Sequence, residues 1–379
     1  MDFILVLIAL AVLFFCLFGL NFLLTHHNQS LKYKSIEGLR GYLAFFVFLH
    51  HSSVWHDYLK TGDWHSPASG IFSQAGECGV AFFFMITGFL FSNKLLIGKN
   101  KPINWTAYFK ARILRLGPMY FFTVSVLIFI VFAAGGFVLN TSPGRLIDDC
   151  SHWYFFTLVG SPNINGYNNT YTIIAGVRWS LVYEWMFYLF VPIAAFLFYK
   201  IKTSSLVLFF CTVLLIIIYI KNEWSLIHLL TFVSGVLASF LVKNEKLVKI
   251  SRHWAASFII LFCLLVIAIF SHHFTIIPWM LATIIFCIVA CGNTFFGILH
   301  AKSSQILGQM SYSIYLLHGI VLYVVMNFIL GIEKAKSLSD TKYCLVIAAC
   351  ILPLIVISST TYHFIEAKFT GKGYKKKRG

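Results

Sequence analysis

Arg40 and His51 are the pair of residues in this sequence best placed to do chemistry. Eleven helical residues turn through roughly 1100°, about 20° past three full turns, so the two side chains share one face, with His51 roughly 16 Å further along. That rise is close to half of a ~30 Å hydrocarbon layer. The spacing therefore puts a cation at a membrane interface and an imidazole near the midplane. An ionisable group at that depth is costly and marks function by default. Near pH 7 a neutral imidazole suits the work of a general base or a nucleophile. The bland alternative is a histidine satisfied by a neighbouring carbonyl, and that alternative fits His50 better, because it points about 80° away from the Arg40–His51 face.

Four further groups of polar residues interrupt otherwise apolar sequence. Arg112 and Arg115 are three apart, neighbours on a helical turn, and their planar forks suit phosphate; plain anchoring at a membrane face explains them equally well. Gly79, Thr87 and Gly88 allow close backbone approach, more often for helix packing than for a site. Glu184 follows Trp179 and Tyr183 inside an apolar run and needs a partner there; an ion pair with Arg178 is the structural option, orientation of His51 or of an acceptor hydroxyl the functional one. Ser311, Tyr312 and Ser313 lead to His318, a second candidate acid or base; Ser311 could simply cap a helix.

The elements that must position these residues are membrane helices. Of 379 residues, 59% are hydrophobic, 18% aromatic and only 11% charged, where soluble chains carry roughly 25% charged. With a mean hydropathy of +0.83 and apolar runs near twenty residues, the fold class is all-α and polytopic. Eleven spans are expected: Phe3–Leu24, Gly41–Trp55, Gly79–Leu96, Pro118–Leu139, Trp179–Tyr199, Ser204–Ile220, Leu226–Val242, Trp254–Ser271, Thr275–Cys291, Ser311–Leu330 and Tyr343–His363. This gives an additional N-terminal helix over residues 1–30, a ten-helix core over 31–369 and a basic tail over 370–379. Phe3–Leu24 lacks a basic flank and a small-residue cleavage site, and reads as a retained helix.

Alternating the loops sorts the 29 Lys and Arg residues into 22 on one side and 7 on the other. By the positive-inside rule the first side is cytoplasmic, so the N-terminus lies outside and the C-terminus inside. The net charge of +16 is thus topological and is no nucleic-acid footprint; Lys375, Lys376, Lys377 and Arg378 suit anionic lipid. The nine cysteines form no C-x-x-C pair or Cys/His cluster, so no metal is expected; a disulfide between Cys78 and Cys150 is one arrangement the topology permits. The long outer segment from Asn140 to Arg178 is rich in Asn, Gly, Ser and Tyr, which suits a polar, sugar-like ligand or a plain surface loop equally.

These groups, in this order, resemble acyltransferase family 3, a family of membrane proteins that includes bacterial O-acetyltransferases of surface polysaccharide. The family's arginine–histidine spacing falls on Arg40 and His51, and its Phe-Phe-x-x-Ser-Gly-Phe-Leu segment resembles Phe83–Leu90, with Thr87 in place of serine. Its arginine pair before proline is similar to Arg112, Arg115 and Pro118, its Trp-Ser-Leu-x-x-Glu-x-x-Phe-Tyr motif matches Trp179–Tyr188, including Glu184, and its Ser-Tyr-Ser-x-Tyr-Leu-x-His motif matches Ser311–His318. Glu366-Ala367-Lys368 departs from the usual ending, which leaves Glu366 without a role.

The resemblance implies transfer of an acyl group, acetyl first, from cytoplasmic acetyl-CoA (acyl-CoA) to a hydroxyl of a cell-envelope carbohydrate such as lipopolysaccharide O-antigen. In that reading Arg40, Arg112 and Arg115 hold the CoA phosphates, and His51 is base or transient acyl carrier with Glu184 beside it. Trp179, Tyr183, Tyr312 and His318 face the substrate. The expected partners are membrane lipid and a carbohydrate or lipid-linked glycan in a bacterial inner membrane, with self-association of the chain left open. The rival class is a transporter or flippase of a lipid-linked sugar or acyl group, which needs the polar helix faces but no base.

Overall fold

The computed structural model describes residues 33–97, 103–199, 202–270 and 273–369. The expected helix Phe3–Leu24 and the basic tail 370–379 lie outside the described residues. The other expected spans fall largely on helices, although the one expected to reach Leu139 ends at Ala134 and Ser271 lies outside the described residues; no strand occurs among the described residues.

The helices are α1 (Lys34–Thr61), α2 (Gly70–Ile97), α3 (Trp105–Ala134), α4 (Pro143–Tyr154), α5 (Arg178–Tyr199), α6 (Ser205–Lys221), α7 (Leu226–Leu241) and α8 (Glu245–Arg252). They continue with α9 (Ala256–Phe270), α10 (Ile276–Ala290), α11 (Lys302–Gln309), α12 (Ser311–Val324), α13 (Ile332–Lys336), α14 (Asp340–Thr361) and α15 (Ala367–Phe369). Among the described residues five helical stretches are long and apolar enough to cross a membrane, six if the bent pair α7–α8 counts as one span. α6, α9 and α10 are shorter apolar helices. α1 has the length, at 28 residues, but its Glu, Arg, His and Ser residues dilute its apolar character. The chain is an integral membrane protein whose most polar long helix carries the Arg40–His51 pair.

Several boundaries move from their expected places, that of α3 furthest, and one expected cap is absent. α3 starts at Trp105, thirteen residues before Pro118, because Asn104 caps it by accepting the Ala107 N–H at 2.9 Å and the basic segment that follows is itself helix-forming. Pro118 sits in the helix interior, where it removes one backbone donor. Arg112 and Arg115 therefore belong to the long helix and are not loop residues. Ser311 does not cap α12: Met310 holds that position, and the Ser311 hydroxyl is buried without a hydrogen-bond partner.

The described chain falls into two compact units. The first takes the chain up to Asn93 together with Leu226–Ser358; the second takes Lys94–Ser225 and the residues from Ser359 onward. In the first, α1 is clasped by small residues. Gly308 of α11 packs on the Glu37 carbonyl, and Gly38 packs on the Leu299 carbonyl, so a Cβ at either place would collide with backbone. On another side of α1, Gly76 of α2 lies against the His50 ring and Gly79 against Val47 and the Leu43 carbonyl. Close backbone approach of this kind is how helices associate where lipid removes the hydrophobic drive. The glycines of α2 thus pack helices, and His50, whose Nδ1 lies 2.9 Å from the Phe72 carbonyl, is held by a neighbouring helix as the bland reading expects.

In the second unit the long segment after α3 is ordered by its own side chains. Asn165 accepts the Asn140 N–H at 2.8 Å and donates to the Val138 carbonyl at 2.8 Å. Thr170 accepts the Ile164 N–H, and the fully buried Trp153 donates to the Pro162 carbonyl at 2.8 Å. Asn163 and Asn165, two of the asparagines that suggest a sugar-binding loop, accept backbone N–H groups of the loop itself. Cys78 and Cys150 both carry free thiols.

Candidate active site

His51 lies on α1 one turn beyond Val47, and its Nδ1 is 3.0 Å from the Val47 carbonyl. A carbonyl only accepts, so Nδ1 carries the proton. His318 of α12 repeats the arrangement: its Nδ1 is 3.2 Å from the Ile314 carbonyl, four residues back. In the neutral ring that leaves Nε2 of His318 as an acceptor, and Nε2 is 3.0 Å from Nδ1 of His51. The two backbone carbonyls therefore fix both tautomers. His51 donates through Nδ1 to Val47 and His318 together, and its Nε2 keeps a lone pair with no hydrogen-bond partner among the described residues. Both rings are buried, with centroids 5.0 Å apart; Tyr315 stands 6.1 Å from the His318 ring and 5.9 Å from Phe83.

Such a pair can take a proton at Nε2 of His51 while His318 supports the imidazolium from behind. Arg40 precedes His51 on the same continuous helix, as the spacing requires, and is paired with Glu37 at 3.3 Å. Tyr312 lies on the first turn of α12, six residues before His318 and so about 600° round the helix, on a different face.

The second group of expected residues assembles around Tyr188, the last residue of the Trp179–Tyr188 motif, to which sequence reading gives no role of its own. Tyr188 of α5 donates its hydroxyl to Glu184, one turn earlier. The Arg112 guanidinium stands 5.7 Å from the centre of the Tyr188 ring, a cation–π distance. The charged groups in electrostatic reach of the Tyr188 hydroxyl are Glu184, Arg115 and Arg112, and the Tyr188 carbonyl accepts the Tyr108 hydroxyl at 3.2 Å. Sequence reading separates the arginines, at the cytoplasmic mouth, from Glu184 in the outer half. In the structure they meet at Tyr188, because α3 carries Arg112 and Arg115 two to three turns into a long helix. The clue was available: Glu184 and Tyr188 are four apart on a helix, hence neighbours.

The Arg178 ion pair offered as the alternative for Glu184 is not present among the described residues; Arg178 stands 5.9 Å from the Tyr171 ring instead. Trp179 and Tyr183 form a separate aromatic group, with ring centres 5.7 Å apart and Trp224 a further 4.7 Å from Tyr183. The Tyr183 hydroxyl accepts the Ser225 N–H at 2.7 Å, which ties α5 to the turn before α7.

Residues 33–363 match an acyltransferase domain profile, Acyl_transf_3. The chain belongs to acyltransferase family 3. Its similar curated relatives are the proteins named O-acetyltransferase OatA from Staphylococcus aureus strains NCTC 8325 / PS 47, COL and MRSA252. Each is 23% identical over 375 residues, a match covering 90% of this chain. The chain spans 57% of the length of those relatives. No solved structure matches the chain.

The pair of His51 and His318 thus presents one buried ring nitrogen able to take a proton, and Arg112 and Arg115, one turn apart on α3, present planar cationic forks near Glu184 that suit an anionic group. Among the described residues no cluster of three or more His, Cys, Asp or Glu side chains gathers as a metal site would require. What sequence missed was partnership. Nothing in the spacing of His51 and His318, 267 residues apart, announces a hydrogen bond between them.

Proposed function

We propose that this chain transfers an acetyl group from acetyl-CoA to a hydroxyl of a cell-envelope glycan, with residues 31–369 as the catalytic domain. The observation that carries the reading is the open Nε2 of His51, kept as a lone pair because Nδ1 is committed to Val47 and His318. Nε2 of His51 takes the acceptor hydroxyl proton as that oxygen bonds to the acyl carbon and the carbon–sulfur bond breaks. The same nitrogen then returns the proton to the departing sulfur, so His51 ends as it began. Transient carriage of the acyl group on this nitrogen uses the same lone pair. Arg112 and Arg115 bind the donor phosphates; Glu184 and Tyr188 hold these two arginines in place.

Membership of acyltransferase family 3 and the likeness to proteins named O-acetyltransferase support acyl transfer to oxygen. The sorting of Lys and Arg supports an orientation with the N-terminus outside and the C-terminus in the cytoplasm; in this reading the membrane is a bacterial inner membrane, with donor from the cytoplasm and glycan beyond. Lipopolysaccharide O-antigen or a similar polysaccharide is the acceptor class.

The test is transfer of radiolabelled acetyl from acetyl-CoA to envelope polysaccharide in membranes carrying wild type, His51→Ala or Arg115→Ala at matched protein levels. Label should move in wild type, vanish in His51→Ala and require more donor in Arg115→Ala. Equal label in all three sinks the catalytic assignment. Absence of label in wild type, with lipid-linked glycan still crossing the membrane, favours a transporter.

A further inference from the structure

The seam between α1 and α12 continues past its two histidines. Trp55 stands one turn beyond His51. Four residues advance a helix by roughly 6 Å and 400°, so Trp55 lies within about 40° of the His51 face. It meets Tyr323, five residues beyond His318, with ring centres 6.0 Å apart. The two helices therefore run in the same direction here, and the histidine contact is followed by an aromatic one. Gly62 then turns the chain. It takes the left-handed conformation that favours glycine, and its N–H donates to the Tyr58 carbonyl at 2.8 Å. The loop that follows is pinned at its far end, where the Ala68 N–H donates to Asp57 at 3.0 Å. Between those points Trp64 comes back over the helix end. Its ring centre is 5.6 Å from that of Trp55 and 5.4 Å from that of Tyr58. Asp63, His65 and Ser66 beside it are exposed, and Trp64 itself is half-buried.

Trp55 is 1% exposed, and its indole N–H has no hydrogen-bond partner among the described residues. A buried donor left unmatched is costly, and rare enough to need a reason. Membership of an interfacial aromatic belt does not supply one, because belt residues keep their polar edge at the headgroups and Trp55 is enclosed by protein. Trp105 and Trp185 also carry unmatched N–H groups, but on other helices than the one that holds His51. Two features set Trp55 apart: its donor sits one turn from an open imidazole lone pair, and the ring that covers it belongs to a surface loop. The face of an indole or phenol takes the C–H side of a sugar ring, and a polar group at its edge takes a hydroxyl.

We propose that the cluster of Trp55, Tyr58 and Trp64 is the subsite for the acceptor sugar. A pyranose unit moves Trp64 off Trp55 and stacks on it. One sugar hydroxyl accepts the Trp55 N–H, and a neighbouring hydroxyl reaches Nε2 of His51. Only this last contact rests on the acyl-transfer reading; sugar binding by the cluster stands without it.

The experiment has a transfer arm and a binding arm, both using oligosaccharide released from the envelope polysaccharide of the transfer assay. Trp55→Phe keeps a ring and deletes the N–H. It should raise the acceptor KM about three- to tenfold, with the acetyl-CoA KM unchanged. Trp64→Ala should raise the acceptor KM about fivefold or more, and Trp64→Tyr should recover most of that loss. A role in packing alone would lower Tm and move both KM values together. For binding, the purified His51→Ala chain is titrated with the same oligosaccharide while its tryptophan fluorescence is followed. A saturable change should appear, and should weaken when Trp64→Ala is combined with His51→Ala. Absence of that change overturns the proposal. An acceptor KM unmoved by both Trp55→Phe and Trp64→Ala also overturns it, and leaves acyl transfer standing. Binding without any transfer by wild type supports the subsite and ends the transfer reading. Trp64 lies on a loop, so its variants decide the matter even if Trp55→Phe disturbs packing.

Discussion

The histidine pair and the arginine–tyrosine–glutamate group are built by opposite means. The first is buried between α1 and α12 and held by two backbone carbonyls, each four residues before its ring. The second is held side chain to side chain, with Tyr188 touching Glu184 through its hydroxyl and Arg112 through its ring. Backbone carbonyls on a helix cannot move without the helix, so the first arrangement specifies one tautomer and one free lone pair. Charged side chains around an aromatic ring can shift by an ångström and still satisfy each other. Under the proposed function, rigid placement suits the bond-making atom and an adjustable cluster suits a flexible, multiply charged donor. The contrast predicts different kinetic signatures for damage to each.

His51→Ala should have the largest effect, a loss of about 10²–10⁴ in kcat if Nε2 is the base, with donor affinity retained. Binding of a non-hydrolysable acyl-CoA analogue checks the second half of that statement. A His51→Ala protein that keeps its rate would remove the histidine side of the comparison altogether. His318→Phe preserves ring volume but deletes the acceptor behind Nδ1 of His51, and should cost about 10- to 100-fold in kcat. His318→Asn, able to offer a carbonyl oxygen, should recover part of it; a purely structural His318 would be better replaced by Phe than by Asn. Tyr188→Phe leaves the ring under Arg112 and removes the donor to Glu184. A hydrogen bond to a charged group is worth about 1.5–3 kcal/mol, so roughly tenfold or more should appear in kcat/KM for the donor, mainly through KM.

The helices and the candidate residues could be read from sequence because depth and periodicity follow from chain spacing alone. Arg40 and His51 needed only a helix, and α1 supplies it without a break. His318 could be named, but its meeting with His51 could not, since α1 is seated against α11, the helix leading into α12, through glycines whose partners lie far away in the chain. The start of α3 was misplaced because hydropathy registers apolar runs and not a basic amphipathic turn capped by Asn104. That error left Arg112 and Arg115 ahead of the expected span and away from Glu184. Tyr188 ends the Trp179–Tyr188 motif but carries no role in sequence for a plainer reason: in a chain with 18 tyrosines, a phenol stands out only once its partners are known.

Gly308 gives a way to disturb one side of the comparison from a distance. Its missing Cβ is where the Glu37 carbonyl sits, at the start of the helix that carries His51. Gly308→Ala must push α1 or α11 apart, at about 1–3 kcal/mol for overpacking, and should lower Tm by several degrees and kcat by a smaller factor than His318→Phe. Donor KM should stay where it was. A raised KM with an unchanged kcat would reverse the roles assigned to the two groups.

The smallest change tests the adjustable side. Arg112→Lys keeps the charge and loses the flat guanidinium that lies over Tyr188 at 5.7 Å. A cation–π contact of this kind is worth about 0.5–1 kcal/mol at an accessible site, and an ammonium still meets phosphate as a point charge. Donor KM should therefore rise only about two- to fivefold, with kcat unaltered. Arg112→Lys combined with Tyr188→Phe should give less than the product of the two separate losses, because both act on one ring. Full multiplicativity would mean that Arg112 and Tyr188 work independently, and that the ring does not join the arginine to Glu184.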